Sequence, residues 1–315
     1  MNFKEIEFPY EPFEELIKSI TGQKLNEWIK FWEKEKEIFA TISEFYGKNF
    51  KQDWLWGLIL PLFSDIYFLK KYSSKKIVIG LSALPGTGKT TLGLLIEKIS
   101  IKMNIKLTVV SMDDYYLPFD EMNIAIKNNP WNVSRGFPGS HSTNLIEESI
   151  LEWKNTGRFK HPVFDKSLRN GLGDRTGWRI TFPEIILLEG WFLGVKPLTT
   201  KNVFLDEVEP PLFSNEIAYR SKIQNNLVFY FKTWELIDRI WQIKPEKFIY
   251  MNKWKEDQEK EMFKKKGNAL LDEELSNFQR MLNCSIPQTS FNDIDINYKV
   301  VLNENRGINW VGLKI

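Results

Sequence analysis

Apolar residues recur along this chain in two rhythms, and the change from one to the other divides it. Leu25, Trp28, Trp32, Phe39, Ile42 and Tyr46 form a stripe at helical spacing with Lys and Glu on the other faces, the pattern of helices that bury one side. Its tryptophans read as core rather than as a ligand box, and the more apolar residues 53–72 are expected to pack inward. From Ile77 the rhythm shortens: residues 77–81 are an unbroken β-rich run that stops at Pro85, Gly86 and Gly88, after which Leu92, Ile96, Ile99 and Met103 return at helical spacing. Residues 107–112 and 184–188 repeat the short buried run, residues 298–302 form a last one, and residues 236–243 fit a strand or a helix segment. Residues 249–266 read as a helix whose Lys, Glu and Gln run marks a solvated face. The pattern predicts an α/β chain, a parallel β-sheet flanked by helices, with residues 1–75 as a helical extension packed on a domain of residues 76–315.

The first strand, its glycine turn and the following helix enclose Gly86-Thr87-Gly88-Lys89-Thr90-Thr91. That is the context a phosphate-binding loop requires, because glycines let consecutive N–H groups wrap an anion while the helix N-terminus adds positive charge. Lys89 would reach the β- and γ-phosphates and Thr90 would hold magnesium, although the first position of the pattern is Ala83 rather than Gly. The second strand ends in Asp113-Asp114-Tyr115-Tyr116 and the third in Glu189-Gly190-Trp191. Ligands of open α/β sheets bind at the carboxyl ends of strands, so both ends lie beside the phosphates. Glu189 is the hard oxygen ligand a magnesium site needs. Neighbouring side chains on extended backbone point opposite ways, so one of Asp113 and Asp114 faces the γ-phosphate and the other caps a turn.

Residues 128–178 carry few helix or strand signals apart from a helix at residues 144–155. Arg135-Gly136-Phe137-Pro138-Gly139-Ser140-His141, Asp165-Lys166-Ser167 and Gly171-Leu172-Gly173-Asp174-Arg175 fall in this stretch. Cations beside glycines in so long a loop suit either a mobile anion-binding wall or a solvated surface.

Composition narrows the classes. With 43 basic and 41 acidic residues in 315, no dominant nucleic-acid or membrane surface is expected. A single cysteine, Cys284, leaves no internal disulfide and no cysteine-cluster zinc site. The N-terminus has acidic residues where a signal peptide has an apolar core, and the most apolar run, residues 54–63, is too short to span a bilayer. A cytoplasmic protein is expected.

Taken together, the phosphate loop, the Asp-Asp-Tyr-Tyr strand end and Glu189 resemble the small-molecule P-loop kinases that include phosphoribulokinase, uridine kinase and pantothenate kinase. The Arg135–His141, Asp165–Ser167 and Gly171–Arg175 motifs, with Glu189-Gly190-Trp191-x-x-Gly194, are similar to D-glycerate 3-kinase of the plant and cyanobacterial type over roughly residues 77–194. The chain departs from that pattern at Ser142, where the family usually has Asp, and at Lys255, where it usually has Arg.

The resemblance implies a P-loop NTPase fold and transfer of phosphate from ATP, with Mg²⁺, to D-glycerate. It makes Asp113 the base, with Lys89 and Glu189 as the other catalytic residues, and gives Arg135, Lys166 and Arg175 to the substrate carboxylate and His141 to a hydroxyl. Asp114, Tyr116 and Asp165 complete the implied substrate wall, and closure of residues 171–177 would exclude water. Another hydroxyl acceptor, such as a nucleoside or pantothenate, and a nucleotide-binding regulator are the competing readings. An acid at the strand end and a second cationic wall favour an enzyme.

Overall fold

The computed structural model describes residues 6–47, 50–198, 208–267, 269–270 and 272–314. The first five residues, part of the N-terminal segment considered above, lie outside this set. The chain opens with helices α1 (Tyr10–Thr21), α2 (Leu25–Lys34) and α3 (Lys36–Tyr46). A short turn of helix, α4 (Gln52–Trp54), then runs through a π-helical stretch, Leu55–Ile59, into α5 (Leu60–Tyr72). The stripe seen in the sequence is thus split between α2 and α3. Its Leu25, Trp28, Trp32 and Ile42 are buried, whereas Phe39 and Tyr46 are partly buried.

Strand β1 (Ile77–Ala83) follows and is buried along its whole length, as a central parallel strand covered on both faces must be. It leads through the phosphate-loop sequence into α6 (Lys89–Lys102), β2 (Leu107–Ser111), a 3₁₀ turn at Met112–Tyr115, α7 (Phe119–Ala125) and α8 (Thr143–Thr156). Then come β3 (Phe159–Asp165), β4 (Asp174–Thr181), β5 (Ile185–Gly190), α9 (Ser214–Leu227), α10 (Phe231–Glu235), β6 (Arg239–Pro245), α11 (Tyr250–Lys266), α12 (Asp272–Cys284), β7 (Tyr298–Leu302) and β8 (Ile308–Leu313). The ambiguous stretch around residue 240 is therefore strand.

Six strands form one sheet in the order β2-β5-β1-β6-β7-β8. Pairing is parallel except for β8, which returns antiparallel to β7. The sheet is mixed rather than wholly parallel, and its last strand was not anticipated. Successive side chains on the strands serve opposite faces. Ile77, Ile79, Leu81, Ile185 and Leu187 join the cluster built with α6 and the N-terminal helices. Val78, Ile186 and Leu188 join the cluster built with α8, α9 and α12.

Residues 128–178 hold more regular structure than their sequence signals. β3 and β4 pair as a separate antiparallel ribbon with a bulge at Val163/Phe164. The β4 side chains lie mostly in solvent, so no apolar alternation betrays the strand. The expected closing loop at residues 171–177 is in fact half strand, and the ribbon's turn covers residues 166–173.

Polar contacts as well as apolar ones bind the N-terminal helices to the sheet. Within the helical layer, Trp28 and Trp32 of α2 both donate their indole N–H to Ser64 Oγ of α5, at 2.8 and 3.0 Å. Asp65, 1% exposed, accepts from Arg239 Nη1 at 2.5 Å and from Trp241 Nε1 at 2.9 Å, both on β6. Removing one partner of a buried pair leaves the other charge uncompensated, which costs about 3–5 kcal/mol. Asp65→Ala is therefore expected to lose stability of about that size in urea unfolding, and an unchanged midpoint would show that the joint contributes nothing.

Candidate active site

Lys89 opens α6, so the helix N-terminus and the preceding turn face the same space. Gly86 and Gly88 have φ of +80° and +91°. A Cβ on Gly86 would come within 2.7 Å of the Trp254 carbonyl carbon, so only glycine lets α11 press against the loop. Arg306, in the β7–β8 turn, donates from Nε to Gly86 O at 2.9 Å and from Nη2 to Trp254 O at 3.0 Å. Thr87 is turned inward: it is buried, and its hydroxyl donates to Leu84 O at 2.8 Å. Its side chain is therefore part of the loop's scaffold. Thr91 is exposed on the first turn of α6.

Glu189 pairs in register with Leu81 of β1 and Ser111 of β2. Its side chain is 2% exposed, and Thr90 donates to its Oε1 at 3.0 Å while Lys89 Nζ stands 3.9 Å from Oε2. That second oxygen is buried without a hydrogen-bond partner. An orphaned carboxylate oxygen beside a hydroxyl fits a hard cation, with substrate phosphates and water as its remaining ligands. No cluster of three or more His, Cys, Asp or Glu suited to a metal occurs among the described residues, so a cation here would depend on the nucleotide.

The two neighbouring aspartates part company because the backbone after β2 coils into a 3₁₀ turn rather than staying extended. Asp114 accepts the Ser111 N–H at 3.4 Å, closing that turn. Burial, reinforced by the carboxylates of Asp113 and Glu189, pushes it up to about 6. Asp113 instead accepts from Lys166 Nζ at 2.5 Å. Burial acts to raise its pKa, but the Lys166 ammonium, with Lys89 beyond it, outweighs this and holds the carboxyl well below the usual range.

Tyr116 and His141 are both buried, bridge through their backbones and stack with ring centroids 4.5 Å apart. His141 Nδ1 lies 2.9 Å from the Tyr230 hydroxyl, and Nε2 has no partner. Burial lowers the His141 pKa to about 4 against the pull of Asp113, so the ring is neutral at pH 7.

The remaining candidates serve the surrounding loops. Arg175 donates to Tyr116 O at 2.9 Å and to Ser142 Oγ at 2.7 Å. Arg135 donates to Gly171 O and Leu172 O at 2.9 and 2.7 Å, tying itself to the ribbon's turn, and lies over Phe164. Asp165 accepts the Ser167 N–H and hydroxyl at 2.8 and 2.6 Å. The structure therefore gathers Lys89, Thr90 and Glu189 at one end of the site, and Asp113, Lys166, Tyr116 and His141 at the other.

Two residues of the charged helix depart from a solvated face. Lys255 and Glu259 in α11 are buried as an i,i+4 ion pair rather than solvated, and the Lys255 ammonium feels both Lys89 and Lys166. Burial lowers its pKa, with Glu259 opposing. Tyr230 and Arg306 carried no motif, and a tyrosine after a helix or an arginine in a hairpin gives no sequence signal of its own.

Against this geometry stand the comparisons with known proteins. No family model matches the chain. It is 32% identical over 216 residues to the chloroplastic D-glycerate 3-kinase of Arabidopsis thaliana, a match covering 64% of this chain and 45% of that protein. The chain thus spans less than half of that relative's length. A probable ATP-dependent kinase of Saccharomyces cerevisiae is 28% identical over 270 residues, covering 78% of this chain and 83% of that one. The solved D-glycerate 3-kinase of Cryptococcus neoformans superposes with a TM-score of 0.66 at 22% identity, over 89% of this chain and 97% of that chain. The fold is that of the P-loop NTPases, and the resemblance to D-glycerate 3-kinase extends beyond the motifs. No helix among the described residues is long and apolar enough to cross a membrane.

The buried neutral His141 gives a pH test. In the unfolded chain it binds a proton below about 6.5, whereas the folded state resists protonation until about 4. Its contribution is thus fully present above pH 6.5 and lost as pH falls towards 4, amounting to about 2 kcal/mol by pH 5. Urea unfolding at pH 7 and pH 5 is expected to show wild type losing that much more stability than His141→Asn, and parallel losses would mean the ring is protonated in the fold.

Proposed function

We propose that this P-loop chain is an ATP-dependent kinase that phosphorylates D-glycerate at its terminal hydroxyl, giving 3-phospho-D-glycerate. The observation that carries this reading is the Asp113–Lys166 pair, a base and an anion-binding cation held 2.5 Å apart on the far side of the site from Lys89 and Thr90. Phosphoryl transfer needs mainly positioning and charge stabilisation. The amides of Gly86 to Lys89 would cradle the β- and γ-phosphates, and Lys89 would neutralise charge on the transferring group. Thr90 and Glu189 would hold Mg²⁺, which when bound supplies further neutralisation of the phosphate oxygens.

The acceptor's hydroxyl gives its proton to Asp113 as its oxygen attacks the γ-phosphorus, and the bond to the bridging oxygen breaks to release ADP. Paired with Lys166, Asp113 is a poor base. A substrate carboxylate drawing Lys166 to itself would loosen that pair and raise the basicity of Asp113. An anionic acceptor would thus arm the base that takes its proton. Arg135 and Lys255 add to the positive field, while Arg175 shapes the wall through Tyr116 and Ser142. We assign the reaction to the cytoplasm, with which a lone buried thiol, Cys284, accords.

With ATP and Mg²⁺, a panel of D-glycerate, L-glycerate, uridine, pantothenate and ribulose 5-phosphate is expected to give ADP release above background with D-glycerate. Turnover with another member alone would assign a different acceptor. Asp113→Asn should cost about 10²–10⁴ in turnover with nucleotide affinity nearly intact, and equal, small losses in Asp113→Asn and Asp114→Asn would remove both from the base role. Lys166→Ala should raise KM for the acceptor about 10- to 100-fold, the size of a lost charged hydrogen bond. An unchanged KM would take Lys166 out of substrate binding.

A further inference from the structure

The two ring nitrogens of His141 meet different surroundings, and that difference decides which of them carries the proton. Nδ1 lies 2.9 Å from the Tyr230 hydroxyl, and Nε2 is buried with no hydrogen-bond partner. The Tyr230 oxygen is itself buried and already accepts the Gly139 N–H at 3.0 Å. The approach is built in: Gly139 has φ of +103°, and a Cβ there would meet the Asn226 side-chain nitrogen at 2.2 Å, so the loop can lie this close to α9 and the Val228–Tyr230 turn only as glycine.

A phenol has one proton to give, and neutral imidazole has one donor and one acceptor nitrogen. Were the proton on Nδ1, it would donate to the Tyr230 oxygen. The phenolic proton would then have no acceptor among the hydrogen bonds described here, and Nε2 would be a bare acceptor, so two buried groups would go unsatisfied. With the phenol donating to Nδ1, one orphan remains, the N–H at Nε2. Each buried orphan is costly, so the second arrangement is favoured.

We propose that Tyr230 fixes His141 as the Nε2–H tautomer, so that His141 enters the site as a hydrogen-bond donor to an oxygen of the acceptor substrate and cannot serve as its base. The identity of that oxygen's owner rests on the function proposed above; the tautomer does not. Tyr230 is a positioning residue, acting through His141. The base role then falls to Asp113 alone, and a donor from His141 to the reacting oxygen leaves that oxygen's own proton directed at the carboxylate.

Long-range ¹H–¹⁵N spectra of the imidazoles read the tautomer directly. The chain has 2 histidines, and His161→Gln assigns the signals. In the ligand-free protein at pH 7, His141 is expected as a single Nε2–H form, and a proton on Nδ1 would overturn the proposal without any variant. Tyr230→Phe should give a mixture of tautomers and raise KM for D-glycerate about tenfold with KM for ATP unchanged. A Tyr230→Phe spectrum as pure as wild type would overturn the role of the phenol. If D-glycerate is not the acceptor, the kinetic arm fails while the spectra still decide the tautomer.

Discussion

Parallel pairing of β5 with both β1 and β2 is the constraint to which the whole site answers. It sets Glu189 level with Leu81 on one side and Ser111 on the other. The phosphate loop leaves β1 just beyond Leu81, and the turn bearing Asp113 leaves β2 just beyond Ser111. A register slip of one residue would turn every β5 side chain to the opposite face. It would bury Glu189 against one apolar cluster and lift Leu188 into the other. Because both faces of β1 and β5 are apolar and covered, the cost of that slip falls on Glu189, which would lose Thr90 and Lys89. The placement of the Glu189 carboxylate is thus a by-product of how the core packs.

A second line of contacts reaches the same loop from outside the sheet. Asp53 accepts the Ile308 N–H at 2.7 Å and Trp54 donates to Arg306 O at 2.6 Å, so α4 grips the β7–β8 turn. Arg306 in turn holds Gly86 O. The N-terminal helices, joined to β6 through Asp65 and to the phosphate loop through this turn, belong to the support of the nucleotide end of the site.

Much of this was legible because the physics involved is local. A buried strand, a glycine turn and an amphipathic helix write themselves as contiguous patterns, and so the phosphate loop and the acid at the end of β5 could be placed from sequence. The β3–β4 ribbon could not, because β4 lies mostly in solvent and needs no apolar alternation, and β8 was hidden because Asn309 and Gly312 interrupt its apolar run. Thr87 fits the phosphate motif yet points its hydroxyl at Leu84 O, since the motif constrains its backbone and leaves its side chain to the scaffold. Lys255 and Glu259 read as solvated because charge runs usually are; what covers them is Phe278 over the Lys255 ammonium and the Leu270 N–H on Glu259, tertiary contacts with no sequence signature. Tyr230 was invisible for the same reason.

The ribbon has a consequence of its own. Lys166 sits in its turn and Arg135 is bonded to that turn, yet β3 and β4 pair only with each other and lend no strand to the main sheet. On the function proposed above, nucleotide chemistry would fall to the sheet and acceptor recognition to a ribbon that touches the core mainly through Phe159 and bonds to it through Thr181 and Arg175. Drift in the ribbon can retune which anion is held while the sheet, and the register that places Glu189, goes on unchanged. If the proposed function holds, a chain built this way could keep its phosphoryl donor and exchange its acceptor, and residues 159–181 would be the piece that a change of specificity rewrites.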